Sequence, residues 1–219
     1  MFPWTKLEQL RHEKGITGFY ISGHPLDDYK LEIENFCTVS VGEIRADLKN
    51  FKGKDFAFAG IITEANHKVG KNGKPYGSFT MEDYFDSIQL TLFSEEYMKQ
   101  RHFLLPGTYV FIKARVEARF DAPDQLNVRV SSISLLSEVF DKFAKSVTVN
   151  LLLADINPDL IGKIRDLAKI HKGKSILRFQ IMDEEEKMVV ELPSRKSRVE
   201  LKEFVIALEK LEILKYKIG

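Results

Sequence analysis

The sequence has a single cysteine, Cys37, so it can form neither an internal disulfide nor a cysteine-built zinc cluster. That scarcity fits a reducing, cytoplasmic setting. It also lacks an excess of charge of either sign. Lys+Arg number 33 against 32 Asp+Glu, for a net charge of +1. No global field draws such a chain to a polyanion, and any binding of that kind has to come from a local patch. No apolar run approaches the roughly 18 residues of a membrane-spanning helix. The opening "MFPWTKLEQLRHEKG" lacks the apolar centre of a secretory signal. Internal repeats and low-complexity tracts are missing too. What remains is 44% hydrophobic and 30% charged over 219 residues, enough for one large globular domain or two small ones.

Three regions differ in pattern. Residues 1–50 read as a helical segment, with two short helices around "GFYISGHPLDDY". Leu7 and Leu10 give the first a thin apolar stripe. Pro25 suits the first turn of the second, with Asp27 and Asp28 where a helix N-terminus favours anions. Residues 51–138 read as β-rich. "DFAFAGIITEANHKV" is a long strand interrupted by Gly60, which marks a bulge or a barrel corner. "YGSFTMED" and "SIQLTLF" follow, the latter alternating Ile88, Leu90 and Leu92 with Gln89 and Thr91. Ser94 suits the N-cap of a helix with Glu95 and Glu96 in its first turn, Pro106-Gly107 stops that helix, and "TYVFIKARVEARF" and "LNVRVSSISLL" are two more strands around "DAPDQ". Strand, strand, strand, helix, strand, strand is the order of an OB-fold, a five-stranded barrel that binds oligonucleotides on strands 2–3 and on loops 1–2 and 4–5.

After a linker at about 137–145, residues 145–219 read as a small βαββαβ domain of ferredoxin-like element order. Asn157 caps its first helix, Pro158 opens it and Gly173 stops it. Leu160, Ile161, Ile164, Leu167 and Ala168 form the apolar face of that helix. "MDEEEK" is the tip of its hairpin, and Phe204, Val205, Leu208 and Leu211 share one face of the second helix. The expected fold class is therefore multidomain: a helical N-terminal segment, an OB barrel and an α/β domain.

The stretch "KVGKNGKPYGSFTMED" crowds three lysines and three glycines into the first hairpin. A phosphate-cradling Walker loop needs another spacing, a Ser or Thr where Pro75 stands, and a helix rather than a strand afterwards. As loop 1–2 of an OB-fold, Lys68, Lys71 and Lys74 become point charges on a hairpin tip, with Tyr76 available to stack a base. Ser78, Thr80, Gln89 and Thr91 line strands 2 and 3. Arg115, Arg119, Phe120 and Arg129 lie on strands 4 and 5 and the loop between them. Basic residues around an aromatic are what single-stranded nucleic acid requires. A solvated hairpin whose lysines serve solubility is the alternative.

"QLTLF" is similar to the short peptide by which many bacterial replication proteins hook onto the sliding clamp. Its leucines fall on the inward parity of a central strand, which favours a structural role. His24 has carboxylates nearby but too few ligands for a metal, and a local turn or cap hydrogen bond explains it better. His67, His102 and His171 lie in unrelated elements, and Cys37 reads as a small buried apolar residue. No nucleophile sits beside a base, so no catalytic residue, metal site or cofactor is expected.

"TGFYISGHPLDDYKLEIENF" resembles the segment that precedes the OB domain in bacterial replicative DNA polymerase III alpha subunits, through Gly18, Tyr20, Ser22, Gly23, His24, Pro25, Leu26 and Tyr29. The resemblance continues through "FAGIITEANHKVGKNGKPYGSFTMED" and covers about residues 15–137. Over 145–219 it is one of element order. "EDYFDS" departs from it, since many relatives have a glycine there. The resemblance implies a C-terminal piece of a nucleotidyltransferase, itself non-catalytic because the family's polymerase carboxylates and metal-binding domain lie far upstream. It also implies three partners: single-stranded template DNA at the OB domain, a clamp loader subunit at 145–219, and the rest of the polymerase chain, with no membrane. A pure protein-docking module with a non-binding OB-fold, or an OB module of an RNA-acting enzyme, is the other reading. The second is disfavoured by "SGHPLDDY".

Overall fold

A computed structural model describes residues 4–18, 20–71, 73–119, 122–211 and 215–219. The chain divides into two units, Met1–Val139 and Phe140–Gly219. The helical segment therefore falls within the first unit, together with the barrel.

In that unit α1 (Lys6–Thr17), α2 (Lys30–Phe36) and α3 (Val41–Ala46) precede β1 (Asp55–Val69), β2 (Pro75–Glu82) and β3 (Ser87–Phe93), then α4 (Ser94–Gln100), β4 (Tyr109–Ala118) and β5 (Leu126–Leu135). Helices α1 and α3 each start on a reciprocal capping box, Thr5 with Glu8 and Ser40 with Glu43. The sheet runs β3-β2-β1-β4-β5 with antiparallel pairing throughout, the five-stranded OB-fold that the element order predicts. Strand β3 is a terminal strand of this sheet, not a central one. Ser94 is the first residue of α4 and not its cap, since Phe93 holds the N-cap position without a side-chain hydrogen bond.

β1 makes the barrel turn its corner. Asp55–Ile61 pair with β4, and from Ile61 onward the same strand pairs with β2, with a bulge between Ile62 and Glu64. At this crossover a side-chain carbon on Gly60 would lie 2.3 Å from the Glu82 carbonyl oxygen, so glycine stands there for close approach and the bulge falls just after it. Alternate residues fill the interior: Phe79 and Met81 from β2, Leu90 and Leu92 from β3, Val110, Ile112, Ala114 and Val116 from β4, Val130 and Ile133 from β5. Each fully buried large side chain contributes roughly 1.5–3 kcal/mol.

The unit boundary falls within α5 (Val139–Phe143), and the second unit continues with β6 (Ser146–Leu152), α6 (Pro158–Ile170), β7 (Lys172–Asp183), β8 (Met188–Val199), α7 (Leu201–Glu209) and β9 (Lys215–Ile218). The βαββαβ element order holds. Its sheet runs β8-β7-β6-β9, with β6 and β7 parallel and directly adjacent. A ferredoxin-like unit is a split βαβ, with another strand between the two parallel ones. Here nothing intervenes, so the spatial arrangement differs from the ferredoxin-like one. Asn157 caps α6 as expected, its Oδ1 accepting from the Leu160 N–H at 2.9 Å. Gly173 does not stop the helix, which ends at Ile170. The glycine lies within β7, where a Cβ would meet the Glu200 backbone nitrogen at 2.3 Å. Ile161 is exposed rather than part of the buried stripe of Leu160, Ile164 and Ala168.

Candidate nucleic-acid interface

The β1–β2 hairpin leaves the barrel as a two-stranded ribbon. Asn66, His67, Lys68 and Val69 are all exposed, because this end of β1 has no barrel beneath it. The last cross-strand pair is Val69 with Pro75. Gly70 N–H donates to the Lys74 carbonyl and Gly73 N–H to that of Gly70, both at 2.9 Å. Gly73 takes φ +74°, which suits a residue without Cβ. Strand leads to loop to strand, so the Walker alternative has no place here. Lys68, Lys71 and Lys74 are all exposed on this tip.

Register fixes what lies beside them. Facing residues of an antiparallel pair share one side of the sheet. Three rows therefore cross the outer face: Lys68–Tyr76–Phe93, Asn66–Ser78–Thr91 and Glu64–Thr80–Gln89. Five predicted residues, Tyr76, Ser78, Thr80, Gln89 and Thr91, come together with Lys68 on one surface. In the first row the Tyr76 and Phe93 rings stack, with centroids 5.9 Å apart and planes at 25°. Phe93, 58% exposed, is absent from the sequence prediction. The signal was present: Phe93 continues the outward parity of Gln89 and Thr91.

A groove of about 1320 Å³ separates the outer residues of β3 from those of β5 and the end of β4. Gln89, Thr91, Arg119 and Arg129 line it with Phe93 and Asn127. Arg129 is already engaged, donating to Glu96 at 2.9 Å and to Glu117 at 3.2 Å, and these carboxylates hold its guanidinium above its usual pKa. Arg115 lies outside the groove lining. It grips Asp55 with two hydrogen bonds of 2.9 and 2.6 Å, which push the Asp55 carboxyl below its ordinary range. A phosphate would have to compete with these partners. Phe120 lies outside the described residues.

The "SGHPLDDY" stretch is structural. Gly23 adopts φ +140°, Asp27 Oδ2 accepts from the His24 N–H at 2.7 Å, and His24 Nδ1 accepts from the Leu26 N–H at 3.2 Å. The imidazole packs against Tyr20 and Tyr84, and its burial lowers its pKa. Tyr20 and Lys14 both bond Glu82 at the end of β2, tying this segment to the barrel. Burial pushes the Cys37 thiol up to about 12, which makes it inert. Among the described residues, no three His, Cys, Asp or Glu side chains are grouped to hold a metal ion, and no helix is long and apolar enough to cross a membrane.

In "QLTLF", Leu90 and Leu92 are 3% and 1% exposed, as their parity predicts, and cannot act as a hook without leaving the core. The glycine-free "EDYFDS" turn closes through Asp83. Its Oδ1 accepts from the Phe85 and Asp86 N–H groups at 2.8 and 2.9 Å, replacing glycine's backbone freedom with a side-chain bond.

The fold and its outer face define an OB-fold module joined to a small α/β unit. Residues 56–136 match the OB-fold nucleic acid binding domain family, and residues 147–219 match the DNA polymerase III alpha subunit, C-terminal domain family. DNA polymerase III subunits alpha are similar to the chain over most of its length. That of Escherichia coli O157:H7 is 26% identical over 178 residues, 80% of this chain, and that of Pseudomonas fluorescens 27% over 169 residues, 77% of this chain. That of Borreliella burgdorferi is 33% identical over 132 residues, 60% of this chain. The chain spans 15%, 14% and 11% of these relatives' lengths. Among solved structures, the second OB-fold domain of replication protein A from Methanococcus maripaludis is 16% identical and covers 38% of this chain and 85% of its own, at a TM-score of 0.27. The chain is thus similar to the C-terminal region of DNA polymerase III alpha subunits.

Proposed function

We propose that this chain is a non-catalytic region of a bacterial replicative DNA polymerase, whose OB-fold holds single-stranded template DNA. The supporting observation is the coincidence of a lysine tip, a stacked pair of rings and a row of uncharged polar side chains on the face that OB-folds use. Lysines attract phosphate at any sequence, rings stack any base, and Ser78, Thr91 and Gln89 impose little selection. Binding is then weak, sequence-tolerant and salt-dependent. The polymerase chemistry belongs to the rest of the polymerase, in the cytoplasm. Titration of the protein with a labelled single-stranded oligonucleotide at low salt, and with the same sequence as duplex, tests this. Binding of the single strand in preference to the duplex supports it, and no binding of either refutes it.

A docking role for 145–219 rests on a different surface. The edge strand β8 exposes Met188, Val189, Val190 and Leu192. An exposed apolar edge fits a protein partner better than a nucleic acid, and the clamp loader is the partner we assign to it. Deleting 145–219 from the intact polymerase should abolish association with the clamp loader. Unchanged association would remove this role.

A further inference from the structure

Two aromatic rings stand in the Lys68–Tyr76–Phe93 row, and they are not equivalent. Tyr76 is half-buried and comes from the middle of the three strands. Phe93 is 58% exposed and comes from the terminal strand, at the last position before the chain turns into α4. With planes at 25° and centroids 5.9 Å apart, Tyr76 backs one side of Phe93. A second hollow begins beside the rings, lined by Lys74, Pro75, Ser94, Glu95, Met98 and Lys99. Pro75 and Ser94 are the chain neighbours of Tyr76 and Phe93, so the stacked pair marks the boundary between this hollow and the β3–β5 groove.

From this geometry, resting on the single-strand reading above, we infer that Phe93 is the ring on which a nucleobase stacks, Tyr76 being its support, and that the strand passes over Phe93 from the groove into the hollow beside α4. The occupant follows from the flanks. Lys74 and Lys99 border the hollow, and Lys68 borders the rings, so cations lie within reach of the phosphates on either side of a base held at Phe93. Met98, 49% exposed, gives the next sugar an apolar floor. A duplex keeps its bases inside and has nothing to offer a single protruding ring, whereas an unpaired strand does. Stacking does not displace counterions. The Phe93 contribution is therefore independent of salt, and that of the lysines is not.

The test uses the whole chain, labelled oligothymidylate at low salt, and a matched oligonucleotide with one 5-iodouracil. Phe93→Ala should weaken binding about 5- to 150-fold, the increment of one stacked base, with the slope of log affinity against log salt unchanged. Phe93→Leu keeps most of the bulk without a π face and should lose most of the same increment. Phe93→Trp should bind at least as tightly as wild type, and Tyr76→Phe should match it. Irradiation should crosslink the iodouracil strand to Phe93. Equal urea midpoints for wild type and Phe93→Leu separate lost stacking from lost fold. If wild type binds but Phe93→Ala and Phe93→Leu bind equally well, or the crosslink falls elsewhere, the stacking assignment is overturned and the single-strand reading stands. If wild type does not bind, as for a surface that takes a protein instead, both are overturned.

Discussion

The two long hairpins, β1–β2 and β7–β8, are opposites. Both are antiparallel ribbons with a short tip. The first tip carries Lys68, Lys71 and Lys74 with no acid among them. The second carries Asp183, Glu184, Glu185 and Glu186 against Lys187 alone, with Asp183 Oδ1 accepting from the Glu185 and Glu186 N–H groups at 3.0 and 3.2 Å. The flanking faces differ as well. Beside the basic tip lie Ser78, Thr91 and the Tyr76–Phe93 rings, and beside the acidic tip lie Met188, Val189, Val190 and Leu192. A net charge of +1 thus averages over one basic hairpin tip and one acidic one. For this chain, charge position carries information that total charge does not.

The largest effect comes from removing the support of the first face. Phe79 is 1% exposed beneath the outer row, and Phe79→Ala should destabilise the barrel by about 3–5 kcal/mol, read as a lower urea midpoint of its transition. A shift of a few tenths would mean that the barrel does not bear on this residue. Next, Val190→Lys with Leu192→Lys makes the second hairpin polar on its exposed side. Stability should stay within about 0.5 kcal/mol for each change, as at other surface sites. Oligonucleotide affinity should be unchanged, while association with the protein partner is lost. A matching loss of oligonucleotide affinity would erase the contrast between the hairpins.

The smallest expected effect concerns pH. Burial holds the His24 imidazole below its ordinary value of 6.5, although Asp27, Glu82 and Asp83 pull it upward and Lys14 opposes them. The unfolded chain then takes up a proton that the folded chain resists. This stabilisation is complete above 6.5 and declines as pH falls through 6.5 toward the lower folded value. The melting temperature should therefore fall modestly from about pH 7.5 to about pH 5.5. His24→Asn, which retains an acceptor for the Leu26 N–H, should flatten that dependence. An equal fall in both proteins would assign it to other groups.

Period-two alternation made β3 and β4 legible, because the inward face of each is dry, whereas β1 is buried on both faces from Phe56 to Ile62. The same rule puts Ser78 with Thr80 and Gln89 with Thr91 on one face of their strands, and the β2–β3 register brings the two pairs together. Phe93 ends the same strand on the outward parity of Gln89 and Thr91, so the rule extends to it. Ion pairing was not legible: Asp55 is 60 residues from Arg115, and only the β1–β4 register brings them together. Glu96 reaches Arg129 from a helix for the same kind of reason. Strand order in the second unit also escaped, since βαββαβ permits both a split and an unsplit pair of parallel strands, and the choice depends on packing across the sheet. Gly173 read as a helix stop because glycine serves both ends and close approaches, and only the Glu200 backbone beside it distinguishes the two.

The central claim, that the lysine tip makes this OB-fold a single-strand binder, is tested most directly by measuring oligonucleotide affinity across a series of salt concentrations. The comparison is between wild type and Lys68→Ala/Lys71→Ala/Lys74→Ala. With one phosphate met by each of the three tip lysines, at roughly −0.7 per phosphate, the wild-type slope of log affinity against log salt should be near −2. The triple variant should fold normally, bind more weakly and show a slope near zero. A triple variant that keeps both the affinity and the slope of wild type would reduce the tip to a solvated hairpin and contradict the claim.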